Sequence, residues 1–218
     1  DGLLDLATAN TGSNTISFLS GFGDGTFNLP IDFALNGGVG PFSLIAEDFN
    51  RDGSLDLATA NVGSNTIAIL LGSPFGFSFA TNFSVGSSSP RAIASGDFNR
   101  DGSLDIVTVN SGSNNLSILR NDGNANFATL SNIQLSGALR PVAVSVADLD
   151  LDGNLDIAVA NAASNNISLF FGNGNNSFVF DSNLSLGIGR EPSSITIKDI
   201  NKDTTPDLIV TNSSSLSI

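Results

Sequence analysis

The chain has 218 residues and a formal charge of −13, with 8 Lys and Arg against 21 Asp and Glu; nucleic acid and anionic membrane surfaces would both repel it. With neither Cys nor His it has no disulfide framework, no thiolate nucleophile and no zinc-thiolate site, and it lacks the commonest general base. A hydrophobic content of 40% with 23 Gly argues for a folded chain rich in turns, and no stretch reaches the roughly 18 apolar residues of a membrane span.

The chain opens on Asp1-Gly-Leu-Leu-Asp5, without an initiator Met, and is expected to be a piece of something longer. That opening is the tail of a phrase that returns complete as Asp48-Phe-Asn-Arg-Asp-Gly-Ser-Leu-Asp56, Asp97-Phe-Asn-Arg-Asp-Gly-Ser-Leu-Asp105 and Asp148-Leu-Asp-Leu-Asp-Gly-Asn-Leu-Asp156. A degenerate copy, Asp199-Ile-Asn-Lys-Asp-Thr-Thr-Pro-Asp207, follows. The fifth position falls at 1, 52, 101, 152 and 203, a period of 49 to 51 residues that signals a propeller, a solenoid or an array. The phrases divide one repeat domain, 1–218, into 1–47, 48–96, 97–147, 148–198 and 199–218.

Within a repeat, strand-length apolar runs follow the phrase, as in 55–60, 66–71, 77–83 and 91–95. The first two are joined by a turn that recurs at 10–14, 61–65, 110–114 and 161–165, rich in Asn, Gly and Ser, which tolerate positive φ or bond their own backbone. A Gly-rich turn (21–25, 172–176) leads to the third run, and Pro41, Pro90, Pro141 and Pro192 precede the fourth. No apolar stripe persists at helical spacing, so the expectation is an all-β fold of β-propeller-type repeats, four-stranded antiparallel blades numbering about four and a third. Residues 1–19 and 203–218 carry the same part of the repeat, which predicts an open arc, part of a larger propeller, or self-association through open blade edges. Phe27, Phe49, Phe98, Phe127 and Phe178 recur at fixed phases and are expected in blade cores, and the repeated Asn10, Asn61, Asn110, Asn161 and Asn212 to close turns in preference to lining a channel.

The acidic phrase places side-chain oxygens at positions 1, 3, 5 and 9 of one loop, with Gly at position 6 where a tight turn needs positive φ. Calcium takes six to eight oxygens at about 2.3–2.6 Å in flexible geometry, and a backbone carbonyl at position 7 would add to the set. An EF-hand needs Glu at position 12 between helices; Thr59, Thr108 and Val159 stand there, on strands. A merely polar turn needs one or two such residues, not four in each of three loops. Of the 21 acidic residues 15 lie in the five phrases, so four bound calcium ions would bring −13 to −5.

Together with Leu-Asp-Leu-Ala-Thr-Ala-Asn (55–61) and Gly-Asp-Gly-Thr-Phe (23–27), the phrase resembles the FG-GAP or VCBS repeat, the family of the integrin α-subunit propeller and of many bacterial surface proteins. The resemblance implies a propeller, usually of about seven blades, with calcium in its loops. It implies as ligands Asp48, Asn50, Asp52, the Ser54 carbonyl and Asp56; Asp97, Asn99, Asp101, Ser103 and Asp105; and Asp148, Asp150, Asp152, Asn154 and Asp156. Asp199, Asn201, Asp203, Thr205 and Asp207 form a weaker site, because Thr204 must take the backbone angle of Gly and Pro206 departs from the pattern. Asp1 and Asp5 are an incomplete one. The loop 148–156, with four Asp, is expected to bind tightest.

The function expected from this resemblance is a non-catalytic, extracellular or cell-surface calcium-binding module for adhesion or for binding a protein or glycan. A structural subunit of a fibre, built by end-to-end pairing of repeats, is the alternative; the absence of Trp and Tyr to stack sugars weakens a lectin. No Gly-Lys-Ser/Thr accompanies the Gly-rich turns, and a carboxylate neutralised by calcium is a poor general acid, so no enzyme is expected.

Overall fold

The computed structural model describes residues 2–214 and is all-β. Among the described residues no helix is long and apolar enough to cross a membrane. The first sheet contains β1 (Leu6–Asn10), β2 (Thr15–Leu19) and β3 (Ile31–Ala34). The second is built of β4 (Pro41–Glu47), β5 (Asp56–Asn61), β6 (Thr66–Leu70) and β9 (Thr81–Ser84), with a small hairpin, β7 (Gly72–Ser73) and β8 (Gly76–Phe77), before its last strand. The third runs β10 (Pro90–Gly96), β11 (Asp105–Asn110), β12 (Asn115–Asn121), β13 (Phe127–Gln134), and the fourth β14 (Pro141–Ala147), β15 (Asp156–Asn161), β16 (Asn166–Gly172), β17 (Phe178–Ser185). β18 (Pro192–Lys198) and β19 (Asp207–Asn212) form a pair. All pairings are antiparallel and, apart from β6 with β9 across the small hairpin, between sequential strands, the meander of a propeller blade.

Each four-stranded sheet takes its first strand from the end of one sequence repeat and its other three from the next. The Pro residues open these first strands, β4, β10, β14 and β18, and each strand bulges just after its Pro, which spares the ring nitrogen a ladder bond. The third run of the second repeat was expected at 77–83. Instead Gly76, at φ 114, turns the chain so that Phe77 closes the small hairpin and packs edge-on against Phe18 and Phe33 at 5.3 and 5.4 Å; the strand proper starts at Thr81.

Consecutive sheets pack face to face through their middle strands. Ile16 and Leu35 meet Leu57 and Leu70; Ile67 and Ile69 meet Ile106 and Leu119; Val107 and Ile118 meet Ile157 and Phe170; Ala158 and Ile167 meet Ile195 and Val210. Because β5, β11 and β15 are buried on both faces from end to end, the stretches between their terminal Asp and Asn show no polar–apolar alternation, with Thr59 and Thr108 the polar residues inside. The first strands of successive sheets also contact one another, as the inner strands of a propeller do. Phe127 stacks edge-on against Phe49 and Phe178 against Phe98, each reaching the loop of the preceding repeat, while Phe27 is 37% exposed and no core residue.

Turn asparagines tie each sheet to the next. Asn14, Asn65, Asn114 and Asn165 sit at φ 51–58, as their position in a tight turn predicts. Their side-chain oxygens accept the amides of Gly40, Ser89, Arg140 and Glu191, the residues just before each Pro, at 2.7–2.8 Å. Asn10, Asn110 and Asn161 donate across their hairpins to the residues five and seven positions on. Asn110 and Asn161 are fully buried and line no channel.

Candidate metal centre

Each complete acidic loop joins the first and second strands of a sheet, and its ninth residue is the first residue of the second strand. Asp56, Asp105, Asp156 and Asp207 lie opposite Glu47, Gly96, Ala147 and Lys198. The closing carboxylate is therefore held by the ladder, and the rest of the loop wraps around it.

The wrapping uses the loop's own amides. In the loop 148–156, Asp148 accepts from the Asp152 amide at 3.1 Å and from the Gly153 amide at 2.8 Å, Asp150 from Asp152 at 3.1 Å, and Asp152 from Asn154 at 2.7 Å. The loops 48–56 and 97–105 repeat this pattern bond for bond, with Asn50 and Asn99 in the place of Asp150. So does 199–207, where Thr204 supplies the amide and adopts φ 75. Gly53, Gly102 and Gly153 stand at φ 87, 82 and 88, so Thr204 bears a strain that glycine does not.

The closing Asp does more than the sequence suggests. Its Oδ1 accepts the amide sixteen residues on, at the end of the third strand or just past it: Gly21 for Asp5, Gly72 for Asp56, Asn121 for Asp105 and Gly172 for Asp156, at 2.8–2.9 Å. Its Oδ2 accepts the position-2 amide from Phe49, Leu149 and Ile200 at 2.7–3.0 Å. In the loop 97–105 the Phe98 amide holds the same place and lowers the Asp105 carboxyl, but it meets Asp105 Oδ2 more loosely and does not close a full hydrogen bond.

Burial raises the carboxyls of Asp56 and Asp156 and pushes that of Asp105 up to about 6, against the amides that donate to them and with neighbouring loop carboxylates adding to the rise. Position 5 goes the other way. The position-7 amide is the main cause that lowers Asp52, Asp101 and Asp152, and the Thr205 hydroxyl that lowers Asp203.

Asp148, Asp150 and Asp156 each bring a carboxylate oxygen within 4.8 Å of the others. Two oxygens at about 2.3–2.6 Å from one ion lie no farther apart than about 5 Å, so this trio fits a shared calcium. Each oxygen that accepts one N–H keeps a second lone pair for a metal. Asp48, Asn50 and Asp56, and Asp97, Asn99 and Asp105, occupy the corresponding positions, as do Asp199, Asn201 and Asp207. Asp52, Asp101, Asp152 and Asp203 are exposed and engaged with position 7, outside the converging trio. Ser54, Ser103, Asn154 and Thr205 are fixed by the amide they give to position 5. Asp5 is held by Gly21, and Asp1 lies outside the described residues.

Four-stranded antiparallel blades, each with an acidic loop between its first and second strands, define a β-propeller-type repeat protein. The chain belongs to the FG-GAP-like repeat family, which matches it at residues 1–59, 48–108, 97–159 and 148–210. No curated protein matches the sequence. Among solved structures, a candidate 6-phosphogluconolactonase from Bacteroides uniformis superposes with a TM-score of 0.67 at 13% identity, over 88% of this chain and 56% of that one. A protein of unknown function from Desulfotomaculum acetoxidans gives 0.63 at 15% identity, over 94% and 59%. The biofilm matrix protein Bap1 of V. cholerae gives 0.55 at 15% identity, over 94% of this chain and 30% of Bap1. The chain thus spans little more than half the length of the first two, and at these identities the likeness is one of fold.

Proposed function

We propose that the chain is a non-catalytic calcium-binding propeller module that works outside the cell, where its loops present a rigid surface to a protein or glycan ligand. One observation carries the calcium reading: the loop 148–156 gathers the carboxylates of Asp148, Asp150 and Asp156 within 4.8 Å of one another. By this reading Asp97, Asn99, Asp101, Asp105 and the Ser103 carbonyl hold one ion, Asp148, Asp150, Asp152, Asp156 and the Asn154 carbonyl another, and Asp48, Asn50, Asp52, Asp56 and the Ser54 carbonyl a third. The ion supplies charge compensation, and the residues supply the geometry.

The same oxygen donors support calcium over softer metals, because carboxylate and carbonyl ligands suit hard cations. A non-catalytic role is supported by a composition without His or Cys and by carboxylates already committed to their own loops. An extracellular setting is supported by the fold shared with a biofilm matrix protein and by calcium sites of modest charge, which extracellular modules commonly use. Calorimetric titration of EDTA-stripped protein tests the proposal: about three ions are expected to bind with calcium preferred over magnesium. Absence of calcium heat, with an unchanged melting curve, overturns it.

A further inference from the structure

Position 4 of the acidic loops holds Arg51, Arg100, Leu151 and Lys202, all at positive φ (61, 59, 62 and 62). Arg51 reaches out of its own loop into the next. Its Nη2 donates to the Asp101 carbonyl at 3.1 Å and to Ser103 Oγ at 2.5 Å, and lies 3.8 Å from Asp101 Oδ1. A Cβ on Gly102 would come within 3.2 Å of that nitrogen. One repeat on, a Cβ on Gly153 would come within 3.1 Å of Arg100 Nη2. Asp152, held low first by the Asn154 amide and side chain, is lowered further by Arg100. The two positions vary in step along the chain: Arg51 faces Gly102 and Arg100 faces Gly153, whereas Leu151 precedes Thr204. Glycine at 102 and 153 thus supplies both the left-handed turn and the room for a guanidinium.

We infer that Arg51 is a positioning residue for the calcium loop 97–105 and Arg100 for 148–156, so that calcium binding is coupled from each repeat to the next and the coupling stops at Leu151. The inference rests on the calcium reading above. Arg51 stands between Asn50 and Asp52, so an ion that orders the first loop fixes the backbone from which the guanidinium projects. Once fixed, the guanidinium holds the Asp101 carbonyl and the Ser103 hydroxyl on either side of Gly102, the turn from which the position-7 carbonyl is presented. The second loop then has less to order when its own ion arrives. The positive charge opposes a cation nearby, but the Arg51 side chain is 48% exposed, and water and salt screen it.

The experiment is a calcium titration of 15N-labelled protein followed at the amides of Gly53, Gly102 and Gly153, one reporter for each loop. Arg51→Leu places at 51 the residue already tolerated at 151 with the same φ. It is expected to raise the calcium midpoint at Gly102 by about fivefold or more and to leave Gly53 within about twofold. Asp48→Ala, which disables the first loop, is expected to shift Gly102 when Arg51 is present and not in the Arg51→Leu background. Leu151→Arg added to Thr204→Gly is expected to lower the midpoint at the Thr205 amide relative to Thr204→Gly alone, and this gain decides the matter should Arg51→Leu fail to fold. Calcium responses at all three glycines with Gly102 unmoved by Arg51→Leu overturn the coupling alone. No response at any glycine overturns the calcium reading as well.

Discussion

The loops 97–105 and 148–156 share a sequence pattern, a backbone and an arginine from the preceding repeat, yet they treat the closing carboxylate differently. Asp156 has both oxygens paired, to Leu149 at 2.7 Å and Gly172 at 2.8 Å. Asp105 has one paired, to Asn121 at 2.8 Å, and the other buried and met only loosely by the Phe98 amide. The first is satisfied without metal; the second is less fully bonded, and burial, with the Asp101 and Asp97 carboxylates behind it, pushes its carboxyl up. Similar phrases therefore encode similar turns but not equal dependence on an ion.

The largest expected effect tests what the two loops have in common. Calcium at a hundredfold excess over Kd stabilises by about 2.7 kcal/mol per site. For a chain of this size each kcal/mol is worth about 2–4 °C. EDTA is therefore expected to lower the Tm by on the order of 15 °C or more if three sites fill, and differential scanning calorimetry in low salt measures it.

The comparison itself is tested by replacing each closing Asp with its neutral isostere. In EDTA, Asp156→Asn must aim an amide group at one of two N–H donors and is expected to cost about 1–3 kcal/mol by urea denaturation. Asp105→Asn gives up only the looser contact with the Phe98 amide and sheds a buried charge, so in EDTA it is expected to cost less than Asp156→Asn or to stabilise. With calcium present both variants are expected to lose metal-dependent stability. Equal losses in EDTA would erase the distinction.

Acid should separate the loops by the same logic. A carboxyl whose folded pKa is raised takes up protons on folding between its unfolded and folded values. Its contribution destabilises the protein above that window and fades as pH falls through it. Asp105, near 6, together with the raised Asp56 and Asp156, predicts that metal-free protein grows more stable from pH 7 toward pH 5. The lowered Asp52, Asp101, Asp152 and Asp203 act only below about pH 4, where their contribution is lost. Calcium-loaded protein should run the other way, since protons compete with the ion. Asp105→Asn is expected to flatten the metal-free profile, which chemical denaturation at stepped pH would reveal.

Much of this was legible in the sequence, because Asp, Asn and Gly at fixed loop positions leave few conformations open, and the β-branched runs that follow are buried on both faces. Thr204 could be read as strained from position 6 alone, and its φ of 75 agrees. Three things were not legible. A repeat unit cut at the acidic phrase separates the first strand from the sheet it joins, since sequence periodicity does not mark where hydrogen bonding begins. The closing Asp shows no sign in sequence of its bond to the amide sixteen residues on. Whether Phe98 closes its bond to Asp105 depends on sub-ångström placement in a packed core, where Phe98 meets Phe178 at 5.2 Å.

The smallest expected effect concerns a polar ladder that the residue types concealed, because Asn and Ser pass for turn residues. Across β11, β12 and β13, Asn110 donates to Ser117 Oγ at 2.7 Å, and Ser117 donates to Asn132 Oδ1 at 2.6 Å. The fourth sheet repeats it through Asn161, Ser168 and Asn183, and the first through Asn10, Ser17 and Asp32. In the second sheet the middle rung is Ala68, directly opposite Asn82, and Asn82 Oδ1 is left buried without a partner. Asn82, Asn115, Asn166 and Asn183, each the start of an Asn-x-Ser glycosylation signal, lie in or beside these ladders, where their side chains are committed to the fold. Ala68→Ser places a hydroxyl where Ser117 and Ser168 carry one, between an Asn61 donor and the empty Asn82 acceptor. It is expected to stabilise by about 1 kcal/mol with calcium affinity unchanged, whereas Ser117→Ala, which empties the same rung in the next sheet, should cost at least as much. If Ala68→Ser destabilises while Asn82→Ala is neutral, the ladder is packing geometry rather than a hydrogen-bonded unit, and the second sheet has lost nothing by omitting it.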